Sequence, residues 1–409
     1  MYFSLYTYCT LINGKNNSSI YNYSNGDIIE VEQEFVQALN VINDPCEDKY
    51  MNVYLELEQN GLGTFCENKP YNPTMQYSAK RVYKDLALSN NHIKVLQLQL
   101  DNTCDLDCWF CKNEKNYAIR QTGCYLWNAE EPHSKPDWVD IIRQGSLLGA
   151  DTLFLTCNLS NNSYSLIKAI ESAVLNNYKS VIIYSNGFNI NQNIIEQVES
   201  FAYLCKISWV IQIVAHNNLL GLQLTGKNDY YTNVKRSLNL ISEKAEKFSL
   251  SIICLIGDRN DEYLKDLVDI ARDFSVIPQI GFIYPAPDHS YASEVYKNDL
   301  FNHKARLEKV DCFKFSSNSE YHNCFGKTFA VFFDGLTAPC IMMRRFIVDD
   351  IKKSRLSSIV SSSEFKKYTK LSKDNIEHCN ECSFRYGCFD CRAIESNNEI
   401  TSIRCNSIN

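Results

Sequence analysis

The chain has 409 residues, of which 45% are hydrophobic and 22% are charged, and its formal net charge is −7. This length exceeds one ordinary core and predicts two or three domains. The acidic balance argues against a nucleic-acid partner, which usually meets a basic face. No apolar run approaches the roughly 18–20 residues that a membrane span needs, and the first ten residues lack the regions of a signal peptide. We therefore expect a cytoplasmic protein with no membrane partner.

Cysteine is the residue type that deviates most from this ordinary composition, with 18 in the chain. In a reducing compartment such thiols rarely form disulfides, so metal-binding or catalytic roles come first. Their positions are uneven, because a tight group of three lies near residue 108 and eight fall after residue 311. Cysteine chemistry is therefore expected in these two regions.

Residues 1–90 read as a small separate unit. The stretches YFSLYTYCTLINGK and SSIYNYSNGDIIEVE are rich in aromatic and β-branched residues and are broken by Asn-Gly turns, which predicts β-strands. A helix follows with Phe35, Leu39 and Ile42 on one face, and a second helix around residues 49–63 ends at a pair of glycines. A strand hairpin followed by short helices is typical of a winged-helix domain, and an ordinary α+β cap is the alternative.

Residues 91–305 alternate between strand-like and helix-like segments. Helical patterns such as SYSLIKAIESAVL and DEYLKDLVDIARDF lie between short apolar strands. This βαβ rhythm predicts an α/β domain with a parallel sheet, either open and doubly wound or closed into a partial or full barrel, with the chemistry at the carboxyl ends of the strands. The six predicted strands are Val95–Leu100, Thr152–Thr156, Ser180–Tyr184, Trp209–Val214, Leu250–Ile256 and Ile277–Tyr284.

Residues 306–409 lack this rhythm. Cysteines, short apolar pieces and turns dominate the segment. A region so irregular needs another source of order, and bound metal supplies it in many small domains. We therefore expect metal sites in this third domain.

The group of three cysteines lies in DNTCDLDCWFCKNE, directly after the first strand of the parallel sheet, and consists of Cys104, Cys108 and Cys111. Three thiolates can hold three irons of a cubane 4Fe–4S cluster and leave the fourth iron without a protein ligand. A structural zinc site wants four closed ligands, and no further Cys or His lies within the loop. An open iron is what a site needs if a substrate or cofactor must bind the metal.

The segment CDLDCWFC resembles the CxxxCxΦC signature of the radical SAM enzymes, with Phe110 at the aromatic position Φ. The resemblance implies a partial (β/α)6 barrel, which agrees with the six predicted strands. It also implies that S-adenosylmethionine binds the open iron through its amino and carboxylate groups. One electron from the cluster then cleaves the sulfonium, and the resulting 5′-deoxyadenosyl radical abstracts a hydrogen atom. Cys104, Cys108 and Cys111 are the catalytic cluster ligands in this interpretation.

The cofactor contacts beyond the cluster depart from the family pattern at one place. Relatives carry a Gly-Gly-Glu stretch after the second strand, where this chain has LFLTCNLSNN, so Asn158, Ser160 or a backbone carbonyl would substitute for it. The third strand ends in IIYSNG, which is similar to the polar strand end near the cofactor in relatives, and it contributes Ser185 and Asn186. Together with Phe110, these are the predicted cofactor-binding residues.

The later cysteines follow a second pattern: CxnGx4C, a gap, CxxCx5CxxC, a gap and a last Cys. This resembles the SPASM extension of radical SAM peptide modifiers, with two residues rather than three before Cys391. The resemblance implies two auxiliary 4Fe–4S clusters, and so three clusters in total. By this resemblance the outer cluster has the ligands Cys379, Cys382, Cys388 and Cys405, and the inner cluster has Cys324, Cys340, Cys391 and, as a candidate fourth ligand, Cys312.

Two alternatives remain open for this region. If Cys312 is not a ligand, the inner cluster has an open iron that could bind a substrate thiolate. Structural zinc sites would order the fold equally well, but the radical SAM domain upstream favours iron.

SPASM proteins usually act on peptides or proteins, and two functions compete. One is the maturation of ribosomally made peptides, and the other is anaerobic sulfatase maturation, in which a Cys or Ser becomes formylglycine. Sulfatase maturases carry an Asp directly after the second cysteine of the C-terminal pattern, where this chain has Ile341 after Cys340. They also usually start almost directly at the radical SAM domain, whereas about 90 residues precede it here.

Residues 1–90 resemble the recognition element of peptide maturases, a small winged-helix unit that captures the leader of a precursor peptide as an added strand. In this mode, exposed backbone groups at a sheet edge pair with an extended peptide. The predicted edge strand is Asp27–Glu32. The expected partners are therefore a precursor peptide and an electron donor such as flavodoxin or ferredoxin.

Three outcomes are open for the reaction on the peptide. A carbon radical trapped by sulfur gives a thioether, and one trapped by an aromatic carbon gives a carbon–carbon link, with the surplus electron passing to an auxiliary cluster. We expect crosslinking, with thioether formation ahead. Epimerisation would need a thiol donor such as Cys157 or Cys254, although a buried cysteine is more often an apolar filler. A non-enzymatic peptide-binding iron–sulfur protein is the last alternative, and the intact cysteine trio argues against it.

Overall fold

The computed structural model describes residues 1–70, 93–102, 104–110, 134–159, 163–257, 259–282, 306–344 and 346–389. The chain divides into two compact units. The first comprises Met1–Asn91, Phe301–Gly326 and Lys367–Asn409, and the second comprises His92–Leu300 and Lys327–Lys366. Within the described ranges no helix is long and apolar enough to cross a membrane.

The strands and helices are numbered in chain order. The strands are β1 (Tyr2–Leu5), β2 (Cys9–Asn13), β3 (Ser18–Asn22), β4 (Asp27–Val31), β5 (Gly63–Cys66), β6 (Val95–Gln99), β7 (Thr152–Thr156), β8 (Ser180–Ser185), β9 (Lys206–Ile213), β10 (Phe248–Ile256), β11 (Gln279–Phe282), β12 (Arg306–Leu307), β13 (Thr328–Val331), β14 (Leu336–Ala338), β15 (Asp349–Asp350) and β16 (Cys388–Phe389). The α-helices are α1 (Gln33–Asn40), α2 (Met51–Gln59), α3 (Trp138–Leu147), α4 (Ser163–Leu175), α5 (Gln192–Glu199), α6 (Asn218–Thr225), α7 (Tyr230–Ser242), α8 (Leu264–Asp273), α9 (Cys312–Glu320), α10 (Leu356–Ser361) and α11 (Ser363–Thr369). Short 3-10 turns cover Asp48–Tyr50, Asp261–Tyr263 and Lys373–Asn375.

The second unit is built on a sheet in the order β11-β10-β9-β8-β7-β6-β13-β14-β15. All six predicted strands are present as β6 to β11, and each is parallel to its neighbour. The predicted α/β class with a parallel sheet is therefore confirmed. Since all six strands run the same way, their carboxyl ends lie along one edge of the sheet, where ligands bind in such folds.

The sequence does not predict the seventh parallel strand. Residues Thr328–Val331 add to β6 in parallel, and β14 and β15 extend the sheet antiparallel from there. This strand has only four residues and follows no βα unit, so periodicity could not separate it from an apolar loop. It brings part of the cysteine-rich C-terminal region into the same sheet as the first cysteine loop.

The parallel strands present two different faces, because successive side chains alternate. Leu155, Ile183 and Trp209 are among the side chains buried in the large apolar core that the helices cover. The opposite face carries aromatic and polar side chains, including Phe154, Tyr184 and Gln212. A buried face of this mixed character is suited to binding a ligand rather than to packing alone.

The first unit begins with the predicted strands and helices. Strands β2, β3 and β4 form an antiparallel sheet with β4 at one edge, and β1 pairs with β5. Phe35, Leu39 and Ile42 all contact the apolar core of this region, but helix α1 ends at Asn40, so Ile42 lies in the turn after the helix rather than on its face as predicted.

The strand β3 also packs against the C-terminal part of the same unit. Tyr21 is fully buried and shares an apolar cluster with Val310, Phe315 and Tyr386. Its hydroxyl donates to Ser383 O at 2.8 Å. Residues 1–70 therefore share a core with the cysteine-rich segment, while the functional division into domains 1–90, 91–305 and 306–409 stays a prediction.

Candidate functional site

The first cysteine loop begins where β6 ends, at the carboxyl edge of the parallel sheet. Cys104 and Cys108 lie within the described residues, and Cys111 lies outside them. Cys108 is buried and Cys104 is partly buried. The location is the one that the sequence predicts for the cluster.

The end of α6 holds this loop in place. The Asp107 N–H donates to Thr225 O at 2.8 Å, and the Trp109 N–H donates to Leu224 O at 3.0 Å. The last carbonyls of a helix have no partner within the helix, so the loop and the helix end satisfy each other. Gly226 follows with φ +71°, and a Cβ there would lie 3.2 Å from Asp107 Cβ, so glycine also suits the close approach.

Asn186 contacts the loop directly. Its Nδ2 donates to Cys104 Sγ at 3.4 Å, and its Oδ1 accepts from the Phe188 N–H at 3.0 Å. The second bond fixes which end of the carboxamide faces the sulfur. Ser185 Oγ accepts from the Gly187 N–H at 3.1 Å, so this hydroxyl closes the turn in which Gly187 has φ +74°. The turn thus presents an amide donor to a predicted cluster ligand.

Asp101 connects the loop to the strand where the Gly-Gly-Glu stretch is missing. Its buried carboxylate accepts from the Asn158 N–H at 3.2 and 3.0 Å through its two oxygens. Gln99 Nε2 donates to Asp101 O at 2.8 Å and holds the end of β6. Asn158 therefore lies at the predicted edge of the sheet, whereas Ser160 falls outside the described residues.

Replacing Asp101 by alanine should remove the acceptor of the buried Asn158 N–H. We expect a loss of about 1–3 kcal/mol in stability, the usual cost of leaving a buried donor without its partner. Asp101→Asn keeps one acceptor oxygen and is the matched control. Thermal unfolding of both variants measures the effect, and equal stability of Asp101→Ala and the wild-type protein would contradict it.

Aromatic side chains lie beside Cys104 on the sheet face that is opposite the helix-covered core. Phe110 and Phe154 pack around the fully buried Tyr184. The Tyr184 hydroxyl donates to Gln212 Oε1. Since Tyr184 and Gln212 come from neighbouring strands, this hydrogen bond fixes polar groups on the face that carries the cysteine loop.

Cys340 follows the β13–β14 hairpin in the second unit. Gly335 makes the hairpin turn with φ +90°, which explains the glycine of the CxnGx4C pattern. Burial raises the pKa of the Cys340 thiol to about 11, and backbone N–H groups of Met342 and Ile341 that point to it act in the opposite direction. Ile341 itself is fully buried, and its N–H also donates to Gln97 Oε1 at 2.7 Å.

Cys379, Cys382 and Cys388 lie in the first unit. The Cys382 N–H donates to Cys379 O at 3.0 Å, which places these two cysteines on one turn. Cys388 Sγ accepts a hydrogen bond from Lys373 Nζ at 3.0 Å, and Lys373 is only 1% exposed.

Cys312 and Cys324 belong to the same unit. Cys312 is the first residue of α9, and the Cys324 N–H donates to His322 Nδ1 at 3.1 Å. The remaining predicted ligands, Cys391 and Cys405, lie outside the described residues.

The donors around these sulfurs fit iron–sulfur clusters. Across the described ranges, no three His, Cys, Asp or Glu side chains are close enough together to hold a metal ion. Each predicted ligand set has a member outside those ranges, and Cys379, Cys382 and Cys388, the three described members of the outer set, are not close enough together to share a single metal ion. The amide of Asn186, the ammonium of Lys373 and backbone N–H groups at Cys340 nevertheless point at cysteine sulfurs, and such hydrogen bonds tune iron–sulfur clusters.

The side chains that sequence reasoning missed are Asp101, Tyr184, Gln212 and Lys373. Asp101 ends a strand directly before the cysteine loop, and Gln212 interrupts an apolar strand at an alternate position. Both are signals of a buried polar role. Lys373 gives no such signal, because its burial depends on contacts distant in sequence.

Two buried cysteines are explained by packing. Cys157 and Cys254 are at most 1% exposed and belong to the helix-covered core rather than to the face that carries the cysteine loop. Cys254 Sγ donates to Leu267 O at 3.4 Å. Their position supports the role of apolar fillers over that of hydrogen-atom donors.

Burial raises the pKa of Cys254 to about 12. In the folded protein at pH 8, this thiol should therefore stay protonated. Iodoacetamide should leave it unmodified while it alkylates the partly exposed Cys66. Because an unfolded thiol ionises near pH 8.5, the raised pKa also means that stability falls as pH rises from about 8.5 toward 12. Peptide mapping by mass spectrometry checks the labelling, and rapid modification of Cys254 in the native state would refute it.

Comparison with known proteins adds a domain and a fold. The sequence profile of SPASM, an iron–sulfur cluster-binding domain, matches residues 324–383. SuiB from Streptococcus suis bound to S-adenosylmethionine is 16% identical, with a TM-score of 0.53 over 95% of this chain and 96% of that chain. A second SuiB structure is also 16% identical, with a TM-score of 0.51 over 98% and 100% of the two chains. The structure of anSMEcpe with bound AdoMet and the Kp18Cys peptide is 13% identical, with a TM-score of 0.51 over 76% and 93%. No curated protein sequence matches this chain.

These observations first define the class: an α/β protein with a cysteine loop at the carboxyl edge of its parallel sheet and an iron–sulfur domain toward its C-terminus. The chain shares its fold with SuiB and anSMEcpe, and residues 324–383 match the SPASM domain. This confirms the expected fold class and the SPASM resemblance of the C-terminal cysteine pattern.

Proposed function

We propose that the protein is a radical SAM enzyme that modifies a ribosomally made precursor peptide by intramolecular crosslinking, with a thioether ahead of a carbon–carbon link. The observation that carries this proposal is the position of Cys104 and Cys108, which lie at the carboxyl edge of the parallel sheet beside the amide of Asn186. A SPASM domain on the same chain supports a peptide as the substrate.

Cys104, Cys108 and Cys111 would hold the first 4Fe–4S cluster. With S-adenosylmethionine bound at its open iron, this cluster would supply the electron that yields a 5′-deoxyadenosyl radical for hydrogen abstraction. Asn186 would orient Cys104 through its amide, and Asp101 would hold the Asn158 backbone where relatives have Gly-Gly-Glu. Phe110 and Tyr184 would exclude water from the face on which the radical forms.

The edge strand β4 is the proposed site for the leader of the precursor. β4 pairs with β3 on one side, and Ile29 on it is 36% exposed. An extended peptide can add to such an edge through backbone hydrogen bonds while side-chain contacts supply specificity. The structure of anSMEcpe with a bound peptide supports the view that proteins of this fold act on peptides.

Two features favour crosslinking over the alternatives. Sulfatase maturases place an Asp where this chain has Ile341, and Ile341 is fully buried. Epimerisation needs a thiol near the substrate, and Cys157 and Cys254 lie in the helix-covered core. The auxiliary clusters, held by the later cysteines, would accept the surplus electron, and flavodoxin or ferredoxin would supply electrons to the first cluster.

The test of this proposal is the product formed on a leader-bearing peptide encoded beside the gene. We expect the reconstituted protein with dithionite and S-adenosylmethionine to yield a core that has lost two hydrogen atoms and resists fragmentation between the linked residues. A formylglycine residue would support sulfatase maturation instead, and a mass that is unchanged in ordinary water but gains one deuterium in heavy water would support epimerisation. Cys66→Ala, outside every predicted ligand set, is the matched control for Cys104→Ala.

A further inference from the structure

The side chain of Lys373 lies against one predicted ligand of the outer cluster. Its Nζ donates to Cys388 Sγ at 3.0 Å, and the residue is 1% exposed. Burying an ammonium group is costly unless a partner of opposite charge compensates it. A sulfur that coordinates iron carries negative charge and provides such compensation, whereas a neutral thiol is a weak acceptor.

Cys388 and Lys373 both lie in hydrogen-bonded parts of the first unit. Cys388 begins β16, which pairs with β12, and its N–H donates to Phe384 O at 2.9 Å. Cys388 O accepts from Asn323 Nδ2 at 2.7 Å. Lys373 begins a 3-10 turn that follows the buried Ser372. The ammonium is therefore held at the sulfur rather than on a mobile surface chain.

The charged residues next to this contact, Asp374 and Arg385, pair with each other. Asp374 accepts from Arg385 Nε at 2.7 Å and from the Tyr386 hydroxyl at 2.9 Å. The Arg385 side chain is also bound to Cys382 O at 2.7 Å. The acidic residue next to Lys373 is thus engaged by a cation of its own, so the Asp374–Arg385 pair adds little net charge near Cys388.

We propose that Lys373 is a positioning residue that sets the reduction potential of the outer cluster, which rests on the function proposed above. On reduction the cluster accepts one electron, its net charge becomes more negative by one, and no bond to the protein forms or breaks. A fixed positive charge 3.0 Å from a ligand sulfur stabilises the reduced form more than the oxidised form, because charge interactions are strong where water is excluded. An outer cluster with a raised potential would be suited to accept the surplus electron of the proposed crosslinking reaction.

The test compares Lys373→Met with Lys373→Arg in the full-length reconstituted protein. Met removes the charge with little change in size, and Arg keeps the charge. The reduction potential of the outer cluster is measured in a redox titration with mediators, in which electron paramagnetic resonance follows the reduced form. We expect Lys373→Met to change the ratio of oxidised to reduced cluster at least tenfold toward oxidised at a given potential, or about 59 mV for one electron. Lys373→Arg should stay close to the wild-type value.

The iron content separates the outcomes. Equal potentials in Lys373→Met and the wild type, with about twelve irons in each, would overturn the proposal. Loss of about four irons in Lys373→Met but not in Lys373→Arg would also overturn it, because the residue would then be needed for assembly. A wild-type protein that binds iron only at the first site would instead refute the outer cluster and the proposed function with it.

Discussion

Replacing Cys104 by alanine should reduce S-adenosylmethionine cleavage to the background of protein without a cluster. Cys104 is one of three ligands of the first cluster in our proposal, and a cubane held by two thiolates is poorly retained. We therefore expect the variant to lose about four of twelve irons as well as all production of 5′-deoxyadenosine. Liquid chromatography of the quenched reaction measures the nucleoside, and iron analysis measures the cluster.

Two controls make this result specific. Asn186→Ala should keep the irons but slow the reaction, since it removes the hydrogen bond to Cys104 Sγ together with the one that Asn186 Oδ1 accepts from the Phe188 N–H, and neither group is a cluster ligand. Cys66→Ala should retain its full iron content and its activity, because Cys66 lies in β5 of the first unit and belongs to no predicted ligand set. Full activity in Cys104→Ala would show that the cofactor is cleaved elsewhere or not by this protein.

Tyr21→Ala should destabilise the first unit by about 3–5 kcal/mol, the usual cost of truncating a large buried aromatic side chain. Tyr21 is fully buried between Phe315 and Tyr386, with ring centroids at 5.5 and 6.1 Å. Its hydroxyl also donates to Ser383 O, between the predicted ligands Cys382 and Cys388. We expect the variant to bind less iron after reconstitution, because the segment that holds the outer cluster loses its support.

Tyr21→Phe is the matched control, since it keeps the ring and removes one hydrogen bond worth about 0.5–1.5 kcal/mol. Thermal unfolding and iron analysis of the two variants separate packing from hydrogen bonding. The same contacts predict that deletion of residues 1–90 would disturb the outer cluster region as well as leader binding. A point substitution on the exposed edge, such as Ile29→Lys, is therefore a cleaner test of leader recognition. Unchanged stability of Tyr21→Ala would contradict this account of the first unit.

The parts of the fold that the sequence predicts are those formed by residues close together in the chain. The strand Val95–Gln99 and the cysteines after it are adjacent in the chain, so the loop could be placed without a structure. Apolar runs and helical periods likewise predicted the six parallel strands. Gly335 is a further case, because its turn and the following Cys340 are set by local geometry.

The rest depends on contacts between distant segments. The short strand Thr328–Val331 becomes a strand only because β6 offers it a free edge. The hydrogen bond from Lys373 to Cys388 and the packing of Tyr21 on Tyr386 join residues that no periodic pattern relates. Asp101 and Gln212 sit in recognisable places, but their partners could be assigned only in three dimensions.

The central claim is that three cysteines leave one iron open for S-adenosylmethionine. Its most direct test is electron–nuclear double resonance on the dithionite-reduced protein with cofactor labelled with nitrogen-15 at its amino group. We predict a hyperfine coupling between the labelled nitrogen and one reduced cluster, lost in Cys104→Ala and kept in Cys66→Ala. A reduced wild-type cluster that shows no coupling to the labelled cofactor would contradict the account.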